Sequence, residues 1–410
     1  MYAQLPDVNK ALHLICKHIP HDCICIHGKL YHESQIDTFK HPGGQLFIEI
    51  SKGTDATALF ETHHINYNKA LNALSSLSVA TDTESEKFDI FYDFSSYREF
   101  RHHAFQLFKT DTSRRMNLLT TLTLWFTISI TAIMHYVTVT ETVGSLRWVL
   151  SCFCSAFLNT VCGGYGHNAV HVLHFTSVLL DWNGLSAYEW LHEHVHSHHM
   201  YTNTAFDHDA LSMMPLLHWI PENDSSHITT GLLPPWGKHL IFSIAEIAVA
   251  FNGLFIHRTR WKLGNKKIPL WLQLAPCLFV VRLGSYFFQK NGFVTFLLTM
   301  SLAGYYFSYL AHLSHVYGGN YMPNFLIHQL QNTKDIPTPL FPAMVMFLDR
   351  QTLHHLLPTI DHTRLTLEVR RKLSSLNIPA LKSNLFTHYS YSSLNNKQND
   401  ILKGVYSVKL

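Results

Sequence analysis

The sequence predicts a two-part architecture. A small α+β N-terminal module is followed by an all-α domain of four membrane spans with a histidine-rich cap on its cytosolic face. Three observations predict it. Apolar runs long enough to cross a bilayer core, which takes roughly 20 residues, begin only after residue 116 and cover 117–139, 146–165, 269–288 and 293–313. Histidines bunch beside those runs. Charged residues make up only 14% of the 410, against roughly 25% in ordinary soluble domains.

The N-terminal module occupies residues 18–80. Short strand-like runs, Cys23-Ile24-Cys25-Ile26 and Leu30-Tyr31, flank a His27-Gly28 turn. His41-Pro42-Gly43-Gly44 then places a histidine in a tight turn whose glycines permit close approach of a planar group. A second histidine, His63 or His64, follows a helical stretch over 57–62. Two imidazoles facing each other across a slot would fill both axial positions of a haem iron. Such an iron passes electrons and does not bind oxygen. Residues 81–113 are polar and charged and read as a connecting segment.

The membrane domain covers 114–365. Arg114 and Arg115 precede the first span, and Arg258, Arg260, Lys262, Lys266 and Lys267 precede the third. The excess of cytosolic basic residues puts the start of each of these spans, and both termini, in the cytosol. Arg147 and Lys290 lie on the far side, and Arg282 falls within the third span, snorkelling or paired. The apolar stretch 239–257 carries Glu246 in its middle and is expected to lie in the membrane interface. With the second span ending before His167 and the fourth before His315, every histidine cluster falls on one membrane face. Residues 366–410 form a C-terminal cytosolic region whose last part, rich in Ser, Asn and Lys, is a surface tail.

The clusters read HNAVH (His167, His171), HVHSHH (His194, His198, His199) and QTLHH (Gln351, His354, His355), with His315 as an outlier. Neutral imidazole is the commonest side-chain metal ligand, and helical residues three or four apart share a face. These sets therefore suit a metal pair gripped from several helices. Asp207 and Asp209 read either as groups that orient ligating histidines or as members of a simple polar loop. The net charge of +3 gives no electrostatic case for nucleic acid. Seven cysteines without a CxxC spacing read as reduced thiols. The first twenty residues lack a signal-peptide pattern and YSVKL is no retention address, so an internal span is expected to direct membrane insertion.

Two resemblances follow from these residues. The segment from Gly28-Lys29-Leu30-Tyr31 through HPGG and GTDAT to FETHH resembles cytochrome b5. That resemblance implies haem b held by His41 and His64, with His63 as the rival for the second position. WLHEHVHSHHMYTN, QTLHHLLP and His315-Val316-Tyr317-Gly318 resemble the membrane fatty acid desaturases, most of all the b5-fused front-end group and the insect cytochrome b5-related proteins. This implies two non-haem iron ions ligated by His167, His171, His194, His198, His199, His315, His354 and His355, with Gln351 as a further ligand or an outer partner. It also implies a lipid or acyl-CoA substrate, membrane lipids as surroundings, a flavin-dependent cytochrome b5 reductase as electron donor, and an endoplasmic reticulum membrane. The rivals are a hydroxylase using the same irons and a haem electron-transfer protein with an inactive desaturase domain. The chain departs from the family at two places: Asn168 stands where the first box often carries Asp, and Ala311 stands where an Asn can occur.

Overall fold

The structure is a computed structural model and describes residues 19–38, 41, 43–79, 81–82, 92–204, 206–211, 237–251, 267–315, 321–336 and 341–378. Cys16, Pro42, the basic residues Arg258, Arg260, Lys262 and Lys266, the Val316-Tyr317-Gly318 segment and the tail 379–410 lie outside the described residues. The six described cysteines are free thiols. The described chain is mostly helical, with a small sheet at its N-terminal end.

In the N-terminal module, β1 (Cys23–Ile26) pairs antiparallel with β2 (Lys29–His32), with Ile24 opposite Tyr31. His27 and Gly28 both take positive φ, the two-residue turn that matches the twist of a hairpin. β3 (Thr81–Asp82) adds to the far edge of β2. Helices α1 (Glu33–Thr38), α2 (Gln45–Ser51), α3 (Thr57–His63) and α4 (Tyr67–Ser75) complete the unit. Ile24, Tyr31, Ile36 and Ala56 form a small core of their own.

The segment expected to be a polar connector carries a 13-residue helix, α5 (Ser95–Leu107). Its polar residues hid a buried stripe, Tyr97, Phe100, Arg101 and Ala104, spaced for one helical face. Tyr97 donates its phenol to the carbonyl of Leu356 (2.8 Å), beside the third histidine cluster. On the same helix, Arg98 and Arg101 donate to the fully buried carboxylate of Glu61 at the end of α3. The connector is thus a strut between the two parts.

Among the described residues, four helical stretches are long and apolar enough to cross a membrane: α6 (Leu118–Thr140), α7 (Leu146–Val170), Leu270–Phe287 and Gly292–His315. Asn117 and Ser145 cap α6 and α7 by accepting backbone N–H bonds. α6 leaves Leu118, Leu122 and Phe126 exposed, the outward apolar face that suits lipid. α7 continues past the expected end at 165, through His167 to Val170. The close approach of the 342–346 segment in that last stretch needs Gly164, where a Cβ would lie 2.7 Å from Met346 Cα. Between α7 and the next cluster sits the short helix α8 (Val178–Trp182).

The stretch expected to lie in the interface instead packs lengthwise. α9 (Gly237–Phe251) runs antiparallel beside the fourth span, α11 (Gly292–His315). His239 meets Tyr305, Phe242 meets His312, and Phe251 meets Phe296. Glu246 is buried where Gly304 lets the two helices touch, so an acidic residue is tolerated in a packed contact. Arg282, on α10 (Pro276–Phe287), is buried and does not snorkel. Its Nη1 donates to the carbonyl of Trp182 (2.9 Å) at the C-terminus of α8, where a cation is favoured. Helices α12 (Phe325–Asn332), α13 (Gln351–Leu356) and α14 (Leu367–Ser374) close the histidine-bearing end.

Candidate metal centre and haem slot

The turn after His41 is fixed by Gly44, whose φ of 92° favours glycine. His41 Nδ1 donates to the Gly44 carbonyl (3.3 Å) and His64 Nδ1 to the Phe60 carbonyl (2.9 Å). With the outer nitrogens tied back, the two Nε2 atoms face each other at 3.4 Å with the rings perpendicular. Burial lowers both imidazoles from their ordinary range, which keeps their lone pairs free. Opposed neutral imidazoles are the donor set of a six-coordinate haem, so the residues present fit that group. His63 points elsewhere. Its Nδ1 meets Thr62 Oγ1 (2.9 Å), its ring lies against Phe47, and burial pushes it down to about 3.

The metal-ligating candidates of the second part converge. His167, His171, His194, His199 and His354 bring one ring nitrogen each within 4.8 Å of one another, and all five are buried. His198, His315 and His355 form a second such group. Gln351 joins the second group, its amide meeting His315 Nε2 (3.0 Å) and His355 Nε2 (3.2 Å). The residues expected from the three clusters and the outlier therefore lie in one pocket at one end of the helices.

Local backbone explains the convergence. His167 lies on the last turn of α7 and His171 caps it. Residues Leu191–His198 wind as a π-helix. Its i→i+5 bonding puts more residues in each turn than an α-helix. His194 and His199, five apart, thereby share a face, with their Nε2 atoms 3.1 Å apart. Standard α-helical spacing accounts for the His194 and His198 pair but not for His199.

Outer partners aim the rings. Asp209 binds His194 Nδ1 (2.7 Å) and Asp207 binds His198 Nδ1 (2.9 Å). His315 Nδ1 donates to the Asn332 carbonyl (3.1 Å), and His355 Nδ1 donates to Gln329 Oε1 (3.0 Å). Each bond fixes a tautomer that leaves Nε2 as an inward lone pair. Burial holds His171, His194, His199, His354 and His355 well below the usual imidazole range, so they are neutral. Burial would lower His198 too, but the Asp207 carboxylate outweighs it and raises it. Both ring nitrogens of His171 and of His354 are buried without a hydrogen-bond partner, as is Gln351 Oε1. Such groups are costly unless something binds them. Clustered neutral imidazoles with orphaned lone pairs suit borderline first-row metals, and the donor set fits two ions.

Several contributors carried no sequence signal. Gln329 and Asn332 sit in FLIHQLQN, which has no box-like spacing. Asn203, seen only as the end of YTN, donates to the His315 carbonyl (2.8 Å). Asn168 does more than stand in for an aspartate. It donates to Asp361 Oδ2 (2.6 Å) and accepts from the backbone N–H of His362 (3.1 Å).

No protein-family model matches the chain. No solved structure matches it either. Among curated proteins, the chain is similar to the acyl-lipid (8-3)-desaturase B of Dictyostelium discoideum, 25% identical over 44% of this chain and 41% of the relative. It is similar to the cytochrome b5-related protein of Drosophila melanogaster, 22% identical over 79% of this chain and 75% of the relative. It is also similar to the acyl-lipid (7-3)-desaturase of Rebecca salina, 26% identical over 50% of this chain and 52% of the relative. The matches to the two desaturases span about half of their length or less, whereas the match to the b5-related protein spans three quarters.

Proposed function

We propose that this chain is a multi-pass membrane desaturase that inserts a double bond into a fatty acyl chain, presented as an acyl-lipid or acyl-CoA. It would use O2 at two non-haem irons, with electrons delivered through a haem b carried by the same chain. The carrying observation is the gathering of His167, His171, His194, His198, His199, His315, His354 and His355 into two adjoining groups. The named desaturase relatives support the same reading.

When bound, the irons supply the oxygen chemistry that removes two hydrogens from an unactivated chain, which no side chain can do. The protein's own residues do the rest. The first group would hold one ion and His198, His315, His355 and Gln351 the other, with Asp207, Asp209, Gln329 and the Asn332 carbonyl keeping the rings aimed. His41 and His64 would hold the haem. The N-terminal module touches the second part at two places: Thr54 Oγ1 meets His196 Nε2 of the second cluster (2.9 Å), and Lys267, just before the third span, donates to Glu49 on α2 (2.9 Å). That docking supports electron transfer within the chain, from a flavin-dependent cytochrome b5 reductase inward. We place the protein in the endoplasmic reticulum membrane with both termini cytosolic.

The test is purification in detergent, metal analysis and product analysis. Two non-haem irons per haem and an acyl product lighter by two hydrogens are expected. Gain of one oxygen would make the protein a hydroxylase instead. Haem without other iron would leave an electron carrier.

A further inference from the structure

His362 belongs to none of the clusters read from the sequence, yet it stands at the metal pocket. Its side chain is fully buried and neither ring nitrogen has a hydrogen-bond partner. Its ring centroid lies 3.9 Å from that of His354 and 5.5 Å from that of His167, nearly perpendicular to both. Its backbone is clamped on both sides. Asn168 Oδ1 accepts from its N–H (3.1 Å), and Arg350 donates to its carbonyl (2.6 Å).

The pattern of outer partners gives this placement a meaning. His194, His198, His315 and His355 each have a polar partner on Nδ1. His354 has none on either nitrogen. An ion would take one of its nitrogens and leave the other with a buried N–H. A ligating histidine nearly always donates that N–H to an acceptor, which sets ring orientation and basicity. The neighbouring His362 ring has two buried nitrogens without a partner, so it offers an unused acceptor beside His354.

We infer that His362 is the positioning residue of His354: once an ion takes the inward nitrogen of that ligand, His362 would accept its outer ring N–H, and Asn168 holds His362 in place. The first cluster then orients the third, because Asn168 directly follows His167 in the chain. The inference rests on the metal reading given above. Asn168 acquires a role that an aspartate there would fill differently, since its amide both donates to Asp361 and accepts from His362.

The experiment compares His362→Leu, His362→Gln and Asn168→Leu with the unaltered full-length protein in detergent. Iron and haem are measured first, and ferrous iron is then withdrawn with a graded chelator. His362→Leu keeps the volume but removes the acceptor, and it is expected to bind the iron about 10- to 100-fold more weakly, the usual cost of losing such a partner. His362→Gln retains an acceptor and is expected to stay within a fewfold of the unaltered protein. Asn168→Leu leaves the ring but frees its segment, and it is expected to fall between. The haem absorbance reports folding independently of the irons. Unchanged iron affinity in a folded His362→Leu overturns the inference. Should that variant not fold, unchanged affinity in Asn168→Leu overturns it. An unaltered protein that holds haem but no other iron fails the metal reading itself, a result obtained before any variant is compared.

Discussion

Thr54 Oγ1 accepts a hydrogen bond from His196 Nε2 at 2.9 Å, joining the loop between α2 and α3 to the second histidine cluster across 142 residues of chain. The direction follows from the neighbours: the Thr54 hydroxyl proton is already given to the Ser51 carbonyl (2.7 Å), so its oxygen is left to accept. His196 is buried, and its other nitrogen has no partner. Thr54→Val keeps the shape and deletes the acceptor. Leaving a buried donor unmade costs about 1–3 kcal/mol, or at least about fivefold in an equilibrium constant. Haem absorbance and iron content are expected to be unchanged. Reoxidation of the reduced haem in the presence of substrate and O2 should slow by a similar factor in stopped-flow measurements. A reoxidation rate equal to that of the unaltered protein would mean that this contact does not carry the docking.

The two adjacent histidines after α3 should behave differently. His64 faces His41, whereas His63 is turned toward Thr62 and Phe47. His64→Ala is expected to abolish the low-spin haem spectrum, as is His41→Ala. His63→Ala should keep it with about one haem per chain. The reverse pattern in absorbance spectra of the purified variants would reassign the second axial ligand.

Glu61 is the electrostatic knot between the N-terminal module and α5. Burial alone would raise its carboxyl, but hydrogen bonds from His27, Arg98 and Tyr67 outweigh that and hold it at about 2. Arg101, itself buried, donates to it as well and lies over the Tyr67 ring at 3.7 Å. Removing one member of a buried pair leaves an uncompensated charge, at a cost of about 3–5 kcal/mol. Glu61→Leu should therefore lower the unfolding free energy by about that much. Glu61→Leu with Arg101→Met should recover a large part of the loss. Strictly additive losses in the double-mutant cycle would show that the two side chains do not interact.

The gross plan was legible because it rests on long-range patterns that sequence carries directly. Apolar run length marked the four long helices to within a few residues, and histidine bunching marked the pocket. Local hydropathy misled where burial is achieved by pairing. The charged face of α5 hid Tyr97 and Phe100, and Glu246 suggested an interfacial helix although Gly304 makes room for it in a packed one. The π-helix at Leu191–His198 leaves no periodic trace, so His199 was assignable by its place in the HVHSHH cluster and by resemblance but not by helical geometry. Gln329, Asn332, Thr54 and His362 act through positions fixed only by folding, and no spacing rule points to them.

His328 makes the acid response specific. Its Nε2–H donates to the Thr202 carbonyl (2.9 Å), while its Nδ1 accepts from the backbone N–H of Met322 (3.3 Å) and from the Asn332 amide (3.2 Å). A neutral ring satisfies all three bonds. A protonated one would turn Nδ1 into a second donor facing two donors. Burial accordingly pushes it down to about 4 from the usual 6.5. Between those values the unfolded chain binds a proton that the folded chain refuses, so stability rises with pH across the window and is lost as pH falls from about 6.5 toward 4. The full span is worth about 3 kcal/mol. Carboxylates held low, such as Glu61, add their own loss only below their ordinary range of about 4.5. His328→Gln should therefore flatten the dependence of unfolding free energy on pH between 6.5 and 4.5 by about one proton, whatever its effect on absolute stability. Chemical denaturation at stepped pH in detergent measures that slope. A slope identical to that of the unaltered protein would show that His328 is not neutral for the reason given.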